Sequence, residues 1–201
     1  MNNATSPGDT FFQVDDQLTI FFPDWMKVGL TRKNQDGQLE FFHLDKHKLK
    51  SILPHRGPML LLDSIDIDTT GKFFLGNLKV REEMCENHVI GNVPILRGVD
   101  TQEIAAQLLG VFVYLAFPDL HGGACKLKKC SFEAGSYSIA VGDQISIKLA
   151  PTDVHRTTSK GKDLISVPGY LFVRNQDNKV VCKVKDIQLV VYRTNNVQSQ
   201  D

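Results

Sequence analysis

His88, Asp100, Glu103 and Gln107 are the residues of this 201-residue chain whose types and spacing best suit chemistry. They fall in one stretch, ENHVIGNVPILRGVDTQEIAAQLLGVFVYLAF (residues 86–117), where a loop histidine precedes an apolar segment. Within that segment Asp100, Glu103, Gln107, Gly110 and Tyr114 recur at three- and four-residue steps, so at helical pitch they share one narrow stripe. Burying a carboxylate is costly unless it is paired or neutralised. Desolvation is therefore expected to raise the pKa of Glu103, and a carboxyl protonated near neutrality is what a general acid requires. Gly91 and Pro94 shape the loop, and Gly98 stands where the chain enters the helix. A glycine there lets a substrate approach the backbone closely, and a helix start offers free N–H groups and a positive dipole to an oxyanion. A histidine base, a carboxylic acid and an amide oxyanion hole suit proton abstraction next to a carbonyl. Periodicity alone leaves a blander reading open. Asp100 and Glu103 also resemble a capping box, and a lone loop histidine is commonly an ordinary surface side chain.

The elements that must position these residues are legible in outline. The helix is expected over about residues 99–117; it is apolar on nearly all sides, which marks it as buried. Before it, LDKHKLKSIL (44–53) reads as a short helix stopped by Pro54, and MLLLDSIDID and KFFLGNLKV read as two strands joined around residues 69–71. After it come KLKKCSFE, DQISIKLA, LISVPGYLFVR and NKVVCKVKDIQLVVYR, with turn signals at 141–143 and 175–179. Ile145, Ile147 and Leu149 alternate with Ser146 and Lys148, as in a half-buried antiparallel strand. In the last strand the apolar phase changes between Val184 and Ile187, which predicts a bulge near Lys185 and Asp186. Two strands, a long helix and a run of strands indicate an α+β fold, an antiparallel sheet folded around one helix. FFQVDDQLTIFF and LEFFHL add short strands near the N-terminus, with a hairpin turn at NQDG (34–37). The expected organisation is an ordered N-terminal extension over 1–45, a core domain over 46–193 and a flexible tail over 194–201.

Composition narrows the function classes. Apolar residues make up 42%, enough for a sizeable core, and 23 acidic side chains balance 23 basic ones, so no net charge points to nucleic acid or an anionic membrane. The longest apolar run is shorter than a bilayer span and contains Gln107, so no membrane span is expected. The opening MNNATSPGD is polar and lacks a basic-then-apolar leader, so a cytoplasmic location is expected. Cys85, Cys125, Cys130 and Cys182 match no zinc spacing and are expected as reduced thiols. No metal or cofactor is called for.

Three passages carry a resemblance to a known family. LPHRGPMLLLD (53–63) is similar to the opening LPHRyPfLLvD of the FabZ-type 3-hydroxyacyl-[acyl-carrier-protein] dehydratases. NHVIGNVPILRGVDTQEIAAQ (87–107) resembles that family's GHFPGxPvMPGVlxxEAmAQ, and VGDQISI (141–147) its PGDqL. The resemblance implies the hotdog fold, an antiparallel β-sheet wrapped around a long central α-helix, as a homodimer or dimer of dimers. It further implies reversible dehydration of a 3-hydroxyacyl thioester, held on acyl carrier protein or coenzyme A, to the trans-2-enoyl thioester. His88 matches the catalytic histidine, Glu103 the catalytic carboxylate of the other subunit, and Gly98 the glycine whose N–H binds the thioester oxygen. Gln107 matches the glutamine that orients the acid, and Val99 and Arg97 flank Gly98 at the substrate. His55, within the first matched motif, is read as structural, and Lys126, Lys128 and Lys129 as a solvated face or a landing for an acidic carrier protein. This chain departs from the pattern at Val89-Ile90, at Gly57, Ser64 and Arg97, and by one extra residue between His88 and Gly98. Two alternatives share the fold: an acyl thioesterase, and an acyl-thioester-binding protein whose altered loop has broken the site.

Overall fold

In a computed structural model, residues 10–13, 19–22, 41–68, 72–151 and 153–193 are described, the first two stretches as backbone only. The expected turns at 34–37 and 69–71 and the tail from 194 lie outside these residues. Strands β1 (Thr10–Gln13) and β2 (Thr19–Phe22) pair antiparallel with each other. β3 (Phe41–Asp45) opens the main sheet, so the sheet begins inside the stretch expected as an extension. Helix α1 (Lys46–Ile52) follows, its N-terminus capped by the Asp45 carboxylate accepting from Lys48 N at 2.9 Å. Then come β4 (Ser64–Asp68) and β5 (Phe74–Lys79), a small hairpin β6 (Val89–Ile90) and β7 (Val93–Pro94), and the long helix α2 (Gly98–Ala116). Strands β8 (Ala124–Ala134), β9 (Gln144–Leu149), β10 (His155–Ser159), β11 (Lys162–Asn175) and β12 (Val180–Tyr192) complete the order. β10 was not legible in the sequence because HRTTS carries no apolar alternation.

The main sheet runs β3-β4-β5-β9-β11-β12-β8, all antiparallel, with β10 added on β11. It curls around α2, which packs against β5, β8, β9, β11 and β12. That arrangement follows from the helix itself. From Ile104 to Leu115 every residue but Ala106 is buried, so no polar face is left to turn to water. Phe112 meets Phe74 of β5 edge-on at 5.5 Å between ring centres. Gly76 of β5 lets the layers close up, since a Cβ there would lie 2.9 Å from Leu62 Cδ2 and 3.0 Å from Ile147 Cγ2. The bulge expected near Lys185 and Asp186 is present. The β12–β8 register breaks after Lys185, Asp186 has φ of 52°, and both Val184 and Ile187 stay buried.

The far end of α2 is tied down by charge. Asp163 of β11 is fully buried and accepts from Arg156 Nε and Arg193 Nε, each at 2.8 Å, and from the Thr158 hydroxyl. Burial alone would push its carboxyl up, but these donors outweigh it and hold the group well below the usual carboxylate range. Arg156 also forks onto Asp119, in the turn just after α2, at 2.8 and 2.5 Å.

One expectation needs correction. MLLLDSIDID is not a single strand: Gly57–Met59 forms one 3-10 turn, and pairing begins only at Ser64. Leu60, Leu61 and Leu62 are buried, as a strand reading requires, but the backbone here is satisfied by a side chain. Gln107 of α2, 1% exposed, accepts from Leu61 N at 3.0 Å and donates to Met59 O at 2.7 Å, stapling this segment to the helix. Gln107→Leu should therefore lower unfolding stability by about 2 kcal/mol, because buried backbone groups lose their partner. Urea titration measures this; a change within about 0.5 kcal/mol, ordinary for a neutral substitution, would show the segment held by its leucines alone.

Candidate active site

His88 sits at the base of the β6–β7 hairpin. Gly91 and Asn92, at φ of 55° and 69°, make its two-residue turn, and the flanking residues pair Val89 with Pro94 and Ile90 with Val93. The hairpin closes where Ile95 N donates to His88 O at 2.9 Å. The loop after His88 is thus a paired element closed by His88 itself. The ring's Nδ1 lies 3.0 Å from Ile95 O. A carbonyl only accepts, so Nδ1 carries the proton, and Nε2 of the neutral ring is left to take one.

Gly98 begins α2, and the N-cap residue Arg97 is extended and makes no side-chain cap. The first-turn N–H groups of Gly98 and Val99 have no carbonyl within the helix to bond. Packing inside the chain does not demand the glycine: a Cβ there would make only ordinary 3.5 Å contact with Phe132. Val99 is 60% exposed beside Gly98. Arg97 folds back in a two-pronged bond to Asp100, at 2.7 and 2.9 Å, so its charge is matched locally and stays at the surface. His88, Leu96, Gly98, Thr101, Phe132 and Tyr137 line a common cleft of about 270 Å³.

Glu103 belongs to a different place. It lines a small pocket with His55, Ala106, Gly110, Tyr114 and Leu127, none of which borders the His88 cleft. The capping-box reading fails, since with Arg97 as N-cap the third helical position is Asp100. Instead Glu103 Oε1 receives Gln107 Nε2 at 3.0 Å and lies 3.0 Å from His55 Nε2. Both contacts fall on one oxygen, Oε1. Gln107 spends its polar atoms inside the chain, on Leu61 N, Met59 O and Glu103 Oε1. The expected upward pKa shift is also corrected. Burial pushes Glu103 up, but the hydrogen bonds from His55 and Gln107, with the charge of His55, hold it below its ordinary value.

His55, read from sequence as structural, is therefore a member of the site. Its motif was matched, but no pattern in the sequence joins it to a residue 48 positions on; the fold makes that contact. Its Nδ1 is buried without a partner. Cys125, in the same pocket, is no nucleophile: burial, with the Glu103 charge adding, pushes its thiol up to about 12. Cys85, Cys125, Cys130 and Cys182 are all free thiols. Among the described residues no group of three His, Cys, Asp or Glu is placed to hold a metal, and no helix is long and apolar enough to cross a membrane.

No family model matches the chain. It is 31% identical over 127 residues to the 3-hydroxyacyl-[acyl-carrier-protein] dehydratase FabZ of Enterococcus faecalis, an alignment spanning 61% of this chain and 86% of that protein. The FabZ of Geobacter metallireducens is 31% identical over 115 residues, covering 56% of this chain and 76% of the relative. Among solved structures, the dehydratase heterocomplex ApeI:P from Xenorhabdus doucetiae superposes over 75% of this chain and 93% of its own with a TM-score of 0.52 at 15% identity, which shows the shared hotdog fold. With that fold and relatives of this similarity, the chain belongs to the FabZ family of 3-hydroxyacyl-[acyl-carrier-protein] dehydratases.

Proposed function

We propose that the protein interconverts a 3-hydroxyacyl thioester and its trans-2-enoyl thioester, on acyl carrier protein or coenzyme A, at a site shared by two copies of the chain. The observation that carries the shared site is the position of the two half-sites on β8. Cys125 and Leu127 near its start border the Glu103 pocket, and Phe132 and Ala134 near its end border the His88 cleft. No residue lines both the Glu103 pocket and the His88 cleft, and the two meet β8 at different stretches of the strand. β8 is the last strand of the sheet path, and among the described residues its outer edge is unpaired. An antiparallel two-fold pairing of β8 with a second β8, centred near Lys129, sets the Glu103 end of one copy beside the His88 end of the other. The same pairing covers a long open edge, which is otherwise a liability.

The chemistry follows from the groups so assembled. His88 Nε2 removes the proton α to the thioester carbonyl. The Gly98 N–H, at the positive end of α2, receives the enolate character that develops on the thioester oxygen. The carbon–oxygen bond at the β position breaks, and the hydroxyl leaves as water with the proton of Glu103 Oε2. In the reverse direction Glu103 as carboxylate takes a proton from the attacking water, and His88 returns one to the α carbon. Its two donors favour the ionised form of Glu103, the form that the hydration direction needs of this residue. Dehydration proceeds through the protonated fraction.

Loss of enoyl absorbance from crotonyl thioesters on both carriers tests the reading. Wild type should hydrate them, and Glu103→Gln and His88→Ala should each lower turnover by about 10² to 10⁴. Full activity in both variants would contradict the assignment, and release of free thiol would mark a thioesterase instead.

A second expectation concerns pH. Removing His55 deletes a hydrogen-bond donor and a charge that favour the carboxylate while leaving the pocket buried, so Glu103 should titrate higher. In His55→Ala the acid limb of the hydration kcat/KM profile should move to higher pH, with a matching move of the Glu103 carboxyl signal by NMR. The other titratable groups that line the pocket are Cys125 and Tyr114, both pushed up to about 12, chiefly by burial. An acid limb unmoved in His55→Ala would assign His55 to packing alone.

A further inference from the structure

The balance of 23 acidic against 23 basic side chains conceals an uneven distribution in space. In β9, β11 and β12 the residues turned toward α2 are buried, and the alternate residues form the outer face of the sheet. Register sets Lys148, Phe172, Lys183 and Glu133 in one row across β9, β11, β12 and β8. Arg174 flanks this row on β11 and Lys185 flanks it on β12. On β8, Lys126 and Lys129 stand opposite Val190 and Gln188, on the same face. Six cations thus share the face with the carboxylate of Glu133. Asp163 is turned into the core, and Asp186 stands at the bulge.

Aromatic rings hold these charges in place. Lys148 Nζ lies 4.4 Å from the Phe73 ring centre, and the Arg174 guanidinium lies 5.8 Å from that of Phe172. Lys185 Nζ sits 5.3 Å from the Tyr170 ring centre and Lys126 Nζ 5.6 Å from that of Tyr192. Glu133 engages Lys185 and Lys183, at 2.7 and 3.5 Å. Among the described residues, Lys126, Lys129, Lys148 and Arg174 pair with no carboxylate. Compensating acids lie elsewhere: Glu82, Glu83 and Glu86 line a cleft beside the β6–β7 hairpin.

A cationic face of this breadth attracts a polyanion, and its details narrow the kind. A second copy stacked on it about a two-fold axis would set like charges against each other. Nucleic-acid bases need open aromatic faces on which to stack, whereas Phe73, Phe172, Tyr170 and Tyr192 each carry a cation on the ring. Five of the six cations are lysines, compact charges without the planar fork that grips one phosphate at two points. Tyr170 and Tyr192, 47% and 43% exposed, add amphipathic rings of the kind that sit at a lipid headgroup boundary. We propose that the outer face of this sheet docks on an anionic lipid surface, with α2 on the side turned away from it. In the dimer paired through β8 the two basic faces lie side by side on one continuous sheet, which doubles the contact.

Co-sedimentation of the full chain with phosphatidylserine–phosphatidylcholine vesicles, against pure phosphatidylcholine vesicles, tests the proposal. Wild type should bind the anionic vesicles about tenfold or more tightly than the neutral ones. The difference should vanish at about 1 M salt, where the screening length falls to about 3 Å. Lys148→Glu combined with Arg174→Glu, on strands other than β8 and outside both half-sites, should weaken anionic binding by about tenfold or more. The unfolding midpoint checks that this double variant keeps its fold. Glu133→Gln removes the carboxylate from the face and should strengthen binding; it carries the test if the double variant does not fold. Equal binding to both vesicle types would overturn the proposal, as would anionic binding that neither the double variant nor Glu133→Gln alters. Binding of single-stranded RNA or duplex DNA where the vesicles stay unbound would assign the face to nucleic acid and overturn it too.

Discussion

An ionised carboxylate on an apolar, sheet-wrapped helix must be matched by donors or give up its charge, and the architecture around α2 is organised by that requirement. Glu103 is matched by two donors on one oxygen, His55 from the segment after α1 and Gln107 from the next turn of the same helix. Gln107 cannot serve Glu103 without itself being anchored, and its anchors are the backbone of Met59 and Leu61. The stretch after α1 is thereby kept out of the sheet and pressed onto the helix, which also brings His55 into range. A single glutamine thus links the fold of that segment to the protonation of the acid and to the direction its free oxygen faces.

The other half of the chemistry obeys a separate constraint. His88 is oriented by a hairpin that closes on its own backbone, and the N–H groups that we propose as oxyanion donors belong to the bare first turn of α2. Neither depends on Glu103, and the two halves border different cavities in one chain. This separation makes sense of an edge strand as long as β8 running between them. In the proposed dimer a second copy would complete the site and cover the open edge together.

The sequence made much of this legible. The uninterrupted apolar character of α2, the phase change between Val184 and Ile187 and the histidine-to-glutamine spacing are local signals, and local signals are what periodicity reports. What it hid were contacts made at long range. The run MLLLD has the composition of a buried strand, and only the distant Gln107 shows that its backbone is satisfied by a side chain. The sign of the Glu103 shift was missed for the same reason: burial can be inferred from the helix, whereas the donor opposing it arrives from residue 55. The one-residue lengthening after His88 looks disruptive in linear sequence; in space Gly91 and Asn92 turn the loop into a tight hairpin closed by a backbone bond to His88. β10, polar and without alternation, is built by pairing to β11 and carries no pattern of its own.

The claim on which the account rests is that one active site takes its histidine and its carboxylate from different copies of the chain. The most direct measurement is complementation: unfold and refold together equal amounts of His88→Ala and Glu103→Gln, each inactive alone, and assay hydration. Random pairing makes half the dimers mixed, each with one intact site of two, so activity should return to about a quarter of wild type. A mixture that forms mixed dimers and stays as inactive as its parents would show that both residues act within a single chain, and would contradict the account.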